Sequence, residues 1–406
     1  MDKETILNKL IKKETGNSGP KRPEKWGLVL SGGGTKGAYE IGAWKAINEL
    51  KIPVKGITGT SIGALNAGLF LSTDMKTIEK IYRSVKITDV LPVGSSINPH
   101  KNVFDPSNLL AITKQYFRDR GLDNTPLRAL LDRNINVEKI YESKLDLGIV
   151  TFDIKSRMAF QIFKEDIPKE KLNDYLLASA NFPIFKAQQV DGKQFMDGGL
   201  YDNMPFNPLV ERGYTHLIVI DINGIGMTRK LEKADRIYVK MIGASEDLGG
   251  TFEFNPERID RNIKLGYLDT LKAFHKLFGS YYFFRRPAFN DLMQRFDLET
   301  INGLETAAKL YGLDRYRVYT ADAFLDRLEA IHDEKAMAAD KNAKAILNRS
   351  DMVSFRKLVQ SGSAIAVYAA MLEEKPTYHN SLIDKTWPEI ARAADAIDEL
   401  KNYRLL

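Results

Sequence analysis

The sequence predicts an α/β domain with a mostly parallel sheet, followed by a region that is mostly helical. From residue 25 to residue 275, short apolar runs rich in β-branched residues alternate with stretches of helical periodicity, an order typical of parallel α/β folds. After Phe274 the strand-like runs stop, and apolar residues recur at helical spacing. We therefore expect a basic tail and linker at 1–24, an α/β domain at 25–275 and a helical region at 276–406.

The composition excludes several classes of protein. The 406 residues include no cysteine, which rules out a disulfide framework, cysteine-ligated zinc, an iron–sulfur cluster and a catalytic thiol. A net charge of +6 is too small to indicate nucleic-acid binding, and no nucleic-acid partner is expected. The chain lacks an apolar run of transmembrane length and an N-terminal signal peptide, so we expect a cytoplasmic protein.

The N-terminal tail carries half of the net charge. Residues 1–25 hold seven basic and four acidic side chains, which makes +3 of the total of +6. Four apolar residues on one helical face accompany this charge, namely Ile6, Leu7, Leu10 and Ile11. Two interpretations stay open: a solvated tail, or peripheral contact with an anionic membrane, where each Lys or Arg contributes about 1 kcal/mol.

The elements of the α/β domain are assigned from hydrophobic pattern and boundary residues. Apolar β-branched runs indicate buried strands, apolar residues three or four positions apart indicate helices, and an Asp-Pro or Thr-Pro pair indicates a helix start. The predicted strands are 26–30, 55–60, 145–152, 158–163, 193–196, 216–222 and 237–242. The predicted helices are 38–50, a helix beginning at Ser61, one opened by Asp105-Pro106, 126–133 and 168–180.

The C-terminal region begins with a dense aromatic run at 277–286 that contains two arginines. This run either contacts a membrane interface or packs the helical region onto the α/β domain, and we favour packing. The helices predicted after it are 299–311, 321–340, 351–360, 364–373 and 387–403.

The first chemical motif is the glycine loop at 31–37, between a predicted strand and a helix. Backbone N–H groups without side chains at a helix N-terminus suit a phosphate or an oxyanion. Gly32, Gly34 and Gly37 fit the G-x-G-x-x-G spacing of dinucleotide-binding proteins, but no acidic residue lies within 51–71, where that fingerprint requires one. The lysine pattern of the P-loop is absent as well, which argues against a nucleotide-binding protein.

The second motif is the G-x-S-x-G pattern at 59–63, with Ser61 at its centre. It lies between a predicted strand and a helix of small residues, which is the context of a nucleophile elbow. Such an elbow needs a serine on a strained turn, and flanking glycines allow neighbouring backbone to pass close by. Because the chain has no cysteine, Ser61 is the best-placed nucleophile.

The third motif, Asp197-Gly198-Gly199, follows the short strand predicted at 193–196. A strand that ends in an Asp and a glycine turn holds one carboxylate rigidly. An ordinary β-turn with Asp at its first position is the alternative for this motif taken alone.

Together and in this order, the three motifs resemble those of the patatin-like phospholipase family, and the resemblance covers the predicted α/β domain. Residues 28–37 are similar to the family's oxyanion loop, 59–63 to its nucleophile elbow, and 197–199, followed by Asn203, to its catalytic aspartate turn. One difference is Ser31, where plant patatins carry aspartate. The resemblance implies a patatin-like three-layer α/β/α fold with a mostly parallel central sheet.

The resemblance also implies a Ser–Asp dyad, in which Ser61 attacks an ester and Asp197 takes its proton and later activates water. A carboxylate is a weak base in water, so we expect burial to raise the pKa of Asp197. No metal and no cofactor is implied. Among the oxyanion-hole residues, Gly33 and Gly34 are expected to be the main donors. The implied oxyanion hole comprises Gly32, Gly33, Gly34 and Thr35, and the supporting glycines are Gly37, Gly59, Gly63, Gly198 and Gly199.

A Ser-His-Asp triad is the mechanistic alternative, because the chain order Ser, Asp, His is also possible here. His216 begins a predicted strand and His275 ends a helical stretch, neither of which is typical of a catalytic histidine. The histidines that follow Asp197 are His216, His275, His332 and His379.

The sequence therefore predicts a serine lipid acyl hydrolase of the phospholipase A or lysophospholipase type, acting on phospholipid or other lipid esters. An esterase or acyltransferase acting on a non-phospholipid ester and a catalytically idle lipid-binding scaffold remain alternatives. The irregular segment at 84–106 is expected to lie near the mouth of the site. The oligomeric state stays open.

Overall fold

The computed structural model describes residues 24–92, 121–338, 352–375 and 381–405, together with Arg118. The tail up to residue 23 and the helix predicted to begin at Asp105-Pro106 lie outside the described residues. The chain divides into two compact units, with the division between Ala273 and Phe274. The first unit is an α/β structure and the second is mostly helical.

A mixed sheet of eight strands, mostly parallel, lies at the centre of the α/β unit. The strands are β1 (Trp26–Leu30), β2 (Val54–Thr60), β3 (Asp146–Asp153), β4 (Met158–Phe163), β5 (Gln188–Val190), β6 (Lys193–Asp197), β7 (His216–Asp221) and β8 (Tyr238–Gly243). Their order is β5-β6-β3-β2-β1-β7-β8, and β4 pairs with β3. The five strands from β3 to β8 in this order are parallel, whereas β4, β5 and β6 pair antiparallel with their neighbours.

Helices flank this sheet, and the predicted α/β fold with a mostly parallel sheet is confirmed. The central strands β1 and β7 are buried along almost their whole length, as expected for parallel strands that are covered on both faces. The helices are α1 (Ala38–Glu49), α2 (Ile62–Ser72), α3 (Met75–Ser84), α4 (Thr125–Asn134), α5 (Val137–Glu142), α6 (Leu172–Ser179), α7 (Asn207–Glu211) and α8 (Pro256–Ala273).

Helix α3 is not among the predicted elements, and of α8 only the end was predicted, as a helical stretch that ends at His275. The first turn of α8 is capped by Asn255, whose side chain accepts hydrogen bonds from the N–H groups of Glu257 and Arg258. Its apolar residues, including Ile259 and Ile263, are buried. Its buried residues Ile259, Ile263 and Gly266 lie three or four positions apart, so the helical periodicity is present in the sequence.

The second unit is mostly helical, as predicted, and also contains a two-stranded parallel ribbon that the sequence did not indicate. Within the described ranges, no helix combines the length and the hydrophobicity needed to cross a bilayer. The ribbon consists of β9 (Phe283–Phe284) and β10 (Val318–Tyr319), and the helices are α9 (Arg286–Arg295), α10 (Leu298–Leu310), α11 (Ala321–Ala338), α12 (Met352–Ser361), α13 (Ala364–Glu374), α14 (Ser381–Thr386) and α15 (Pro388–Leu405).

The aromatic run at 277–286 belongs to the core of this helical unit. The rings of Tyr282 and Phe284 are buried among residues of the helices. The carboxylate of Glu305, itself buried, accepts hydrogen bonds of 2.6–2.9 Å from the backbone N–H groups of residues 280–282. Because these rings are buried, they are not available to a membrane interface.

Candidate active site

Ser61 lies on a sharp turn between β2 and α2, with φ 56° and ψ −125°. A positive φ is costly for a residue with a side chain, so the surrounding structure must hold it. The helix packs against the end of β1 so closely that a Cβ on Gly63 would lie 2.5 Å from the carbonyl oxygen of Leu30. Glycine at position 63 is therefore required for the serine to project from this turn.

Strand β3 brings Asp197 next to the end of β2. Thr60, the last residue of β2, pairs with Val150, and Asp197, the last residue of β6, pairs with Thr151. Strand β4 pairs with one side of β3 over this stretch. Strands β2 and β6 therefore both pair with the other side of β3, one after the other along its length. The residue that follows β2 therefore meets the residue that ends β6.

Ser61 and Asp197 are hydrogen bonded. The hydroxyl of Ser61 donates to Oδ2 of Asp197 at 2.6 Å, and the backbone N–H of Gly199 donates to Oδ1 at 2.8 Å. Burial raises the pKa of Asp197 to about 6, although both hydrogen bonds favour the ionised form. The carboxylate is thus a stronger base than an exposed aspartate and still largely ionised at pH 7.

The glycine loop lines the same cavity as Ser61 and Asp197, and two of its backbone N–H groups have no acceptor among the described residues. Gly32 donates its N–H to the carbonyl of Asn203 at 3.2 Å, and Thr35 donates to the carbonyl of Thr251 at 2.8 Å. For the N–H groups of Gly33 and Gly34, no acceptor is found among the residues that the structure describes. Of the four residues predicted to form an oxyanion hole, only these two therefore keep a free donor.

Two further polar side chains hold the site in place, of which only Asn203 was part of a predicted motif. Ser179, at the end of α6, accepts a 2.9 Å hydrogen bond from the N–H of Ser61 and donates to the carbonyl of Val150 at 2.6 Å. Asn203 donates from its side chain to the carbonyl of Gly32 at 3.2 Å. The sequence contains no local signal for Ser179, because its contacts are with residues far away in the chain.

Ser31 differs from the aspartate of plant patatins, and its contact explains what it does here. Its side chain is buried, and its hydroxyl accepts a hydrogen bond of 3.1 Å from the N–H of Ile222, just after β7. Ser31 therefore holds the glycine loop against the neighbouring strand.

A buried polar cluster lies behind the glycine loop. Asn66 donates to the carboxyl group of Glu40 at 2.7 Å and to the carbonyl of Gly37 at 3.1 Å, and it accepts from the hydroxyl of Tyr82 at 2.6 Å. Burial raises the pKa of Glu40 well above its usual range, which favours the protonated form of this carboxyl group. The cluster connects α1, α2 and α3 beneath the loop.

An apolar cavity of about 300 Å³ opens at Ser61 and Asp197. This volume is at the lower end of the range for ligand pockets. The described part of the segment predicted near the mouth contributes Val85 and Val90, while 93–106 lies outside the described residues. The other apolar lining residues include Leu65, Leu69, Leu127, Leu131, Phe182 and Phe252.

His216 lies at the opposite end of the strands from the site. It pairs with Trp26, the first residue of β1, whereas the glycine loop follows the last residue of that strand. The five residues of β1 separate these two ends by about 13 Å. Among the described residues, no histidine is hydrogen bonded to Ser61 or Asp197, and no group of three or more histidine or acidic side chains is close enough to hold a metal ion.

Comparison with known proteins identifies the α/β unit. Residues 28–210 match the family described as Patatin-like phospholipase. Lysophospholipase NTE1 of Cryptococcus neoformans is 26% identical over 213 residues, which are 52% of this chain and 12% of that protein. Neuropathy target esterase sws of Drosophila melanogaster is 28% identical over 203 residues, 48% of this chain and 13% of that protein.

The chain thus spans 12–13% of the length of these two relatives. Among solved structures, VipD from Legionella pneumophila is similar with a TM-score of 0.41 and 15% identity, over 94% of this chain and 90% of that chain. The family match over residues 28–210 and the relatives confirm the resemblance inferred from the three motifs, which was to the patatin-like phospholipase family.

Proposed function

We propose that this chain is a serine hydrolase of lipid carboxylic esters, of the phospholipase A or lysophospholipase type. The observation that carries the proposal is the 2.6 Å hydrogen bond from Ser61 to the buried carboxylate of Asp197, at the opening of an apolar cavity. The names of the relatives, a lysophospholipase and an esterase, support a carboxylic ester as substrate. All the catalytic residues of this proposal lie in the domain at 25–275. We propose no catalytic residue in the tail (1–24) or in the helical region (276–406).

In the first step, Ser61 attacks the ester carbonyl and Asp197 accepts the proton of its hydroxyl. The negative charge on the carbonyl oxygen is stabilised by the N–H groups of Gly33 and Gly34, each worth about 3 kcal/mol. Asp197 then gives its proton to the leaving alcohol. The ester bond of the substrate breaks and an acyl ester forms on Ser61.

In the second step, Asp197 accepts a proton from water, and the resulting hydroxide attacks the acyl ester. The same two N–H groups stabilise the oxyanion again. The bond between the acyl group and Ser61 Oγ breaks, Asp197 gives its proton to Oγ to restore the hydroxyl, and a free fatty acid leaves. Because the pKa of Asp197 is raised to about 6, the carboxylate both accepts and releases this proton near neutral pH.

The cavity supports an acyl chain as the group that is recognised. Leu65 and Leu69 line it at four-residue spacing from Ser61, so they lie on one face of α2. At 1.5 Å per residue, this face extends the apolar lining about 12 Å from the nucleophile. A single hydrocarbon chain fits such a path, and each methylene buried there contributes about 0.8 kcal/mol.

A fluorophosphonate probe tests the proposed nucleophile. The full-length protein should become covalently labelled and should release free fatty acid from lysophospholipid, whereas Ser61→Ala should do neither. The fold of the variant is checked by circular dichroism. Labelling that persists in Ser61→Ala, or a folded wild-type protein that is neither labelled nor active, would contradict the proposal.

Ser179 should act as a positioning residue. Ser179→Ala leaves the N–H of Ser61 without its acceptor, so kcat should fall about tenfold while KM changes little, because the cavity is untouched. Ser72→Ala is the matched control, since Ser72 is a buried serine at the end of α2 whose hydroxyl donates to the carbonyl of Gly68. Equal kcat values for the two variants would show that Ser179 has no special role.

A further inference from the structure

Exposed apolar side chains border the mouth of the catalytic cavity. Leu200, Ile225 and Met227 are 42%, 80% and 66% exposed. In the described part of the α/β unit, only two other large apolar side chains are exposed to this degree, Met158 and Met241. Three of the five are therefore concentrated beside the cavity, and we refer to Leu200, Ile225 and Met227 as the apolar rim.

The apolar rim is built onto the turn that carries Asp197. The N–H of Met227 donates to the carbonyl of Gly199 at 2.9 Å, and the carbonyl of Met227 accepts from the N–H of Asn203 at 2.5 Å. Leu200 and Ile225 also line the cavity together with Ser61 and Asp197. The rim is thus continuous with the apolar lining of the site, and its position relative to the catalytic aspartate is held by backbone hydrogen bonds.

Basic residues follow the rim directly along the chain. Arg229, Lys230 and Lys233 are all exposed, and Glu232 is the acidic residue among them. The guanidinium of Arg229 lies 4.3 Å from the ring of Tyr201, next to the rim. Exposed apolar side chains flanked by cations are typical of surfaces that bind an anionic bilayer, since the apolar groups enter the acyl boundary and the cations contact the headgroups.

We propose that the apolar rim and the basic segment 229–233 dock this protein on an anionic lipid bilayer. This inference rests on the proposed function, because a lipid ester must pass from a membrane into the cavity. With the rim in the acyl boundary, the chain of the substrate moves from one apolar environment to another without crossing water. The docking surface is distinct from the basic N-terminal tail, and the full chain is therefore used in the test.

Met227→Ser tests the apolar part of the surface. The variant keeps the two backbone hydrogen bonds of residue 227 and removes only an exposed side chain, so folding should be preserved. Co-sedimentation with vesicles of phosphatidylcholine and phosphatidylglycerol should show binding about tenfold weaker than wild type. Met158→Ser is the matched control, because Met158 is 65% exposed on β4 and does not line the cavity, and its binding should equal that of wild type.

Lys230→Glu together with Lys233→Glu tests the charged part. Each lysine near an anionic surface contributes about fivefold to binding, so this double variant should lose the preference for anionic over pure phosphatidylcholine vesicles. Lys55→Glu with Lys144→Glu makes the same change of charge at the amino ends of β2 and β3, which lie at the opposite end of the strands from the site, and should keep the preference.

The outcomes separate docking from catalysis. In Met227→Ser, the rate on vesicle substrate should fall relative to the rate on a soluble short-chain ester. The docking proposal would be overturned if Met227→Ser and the double lysine variant each bound vesicles as well as their controls. This holds even if fluorophosphonate still labels Ser61. Loss of that labelling in the wild-type protein would instead contradict the proposed function.

Discussion

Replacing Asp197 with asparagine should lower ester hydrolysis at least a hundredfold while the protein stays folded. Asparagine has the same shape, and its carbonyl can still accept the hydrogen bond from Gly199. It cannot accept the proton of Ser61, however, and general-base catalysis contributes about 10²–10⁴-fold to rate. The measurement is kcat/KM on a soluble ester. The control is His216→Ala, at the opposite end of the strands from the site, which should retain most activity.

The same substitution should stabilise the protein at high pH. The pKa of Asp197 is about 6 in the folded protein and about 3.9 in an unfolded chain, so the folded state binds a proton more tightly. Above pH 6 the buried carboxylate must ionise, which costs about 3 kcal/mol for a difference of two pKa units. Asp197→Asn removes this cost, and the gain should disappear below pH 4, where the carboxyl group is neutral in both states.

Urea denaturation at pH 8 and at pH 4 measures this difference in the free energy of unfolding. The wild-type pH profile provides a second check, because kcat/KM should rise as pH increases through about 6 and Asp197 loses its proton. An active Asp197→Asn variant, or equal stability changes at both pH values, would refute the assignment of Asp197 as a buried base.

Gly34→Ala should reduce kcat by about 10²–10³-fold, the effect of losing one oxyanion donor. Gly34 has φ +63°, and a Cβ there would lie 2.1 Å from the carbonyl oxygen of Thr251. That oxygen already accepts the N–H of Thr35, so the loop cannot move aside without breaking this bond. The N–H groups of Gly33 and Gly34 would then be displaced from the carbonyl of the substrate. The measurement is kcat on a soluble ester.

Gly213→Ala is the control for backbone strain. Gly213 also has a positive φ, +80°, but nothing lies within 4 Å of the position of its Cβ. This variant should lose about 1–2 kcal/mol of stability and keep its activity. If both variants lost activity equally, or neither did, the glycine loop would not be the oxyanion hole.

The strands and motifs of the site were predictable because their signals are local. The buried strands β1, β2 and β7 appear in the sequence as short, mostly apolar runs, since parallel strands are covered on both faces. The glycine loop and the turn of Ser61 need small residues at adjacent positions, so a few neighbouring letters identify them. In contrast, only the end of α8 was predicted, at His275, although its buried residues Ile259, Ile263 and Gly266 also lie at helical spacing.

No local pattern predicts the contacts around the reactive groups, because they join distant parts of the chain. The pairing of Ser61 with Asp197 was expected only from the family resemblance. Ser61 is 136 residues from Asp197 and 118 residues from Ser179, and no local pattern encodes either contact. The two proposed oxyanion donors, Gly33 and Gly34, illustrate the same limit. The predicted hole included Gly32 and Thr35, and only their hydrogen bonds to Asn203 and Thr251 remove them as donors.

The sequence by itself determined which residue types can do the chemistry and the order in which the chain presents them. It contains one well-placed nucleophile, no cysteine, and a glycine loop suited to an oxyanion. Only the tertiary structure decided that Asp197 reaches Ser61, because β2 and β6 meet end to end along β3. It also decided that the pKa of Asp197 is raised to about 6, since desolvation depends on everything packed around a carboxylate and not on its neighbours in sequence.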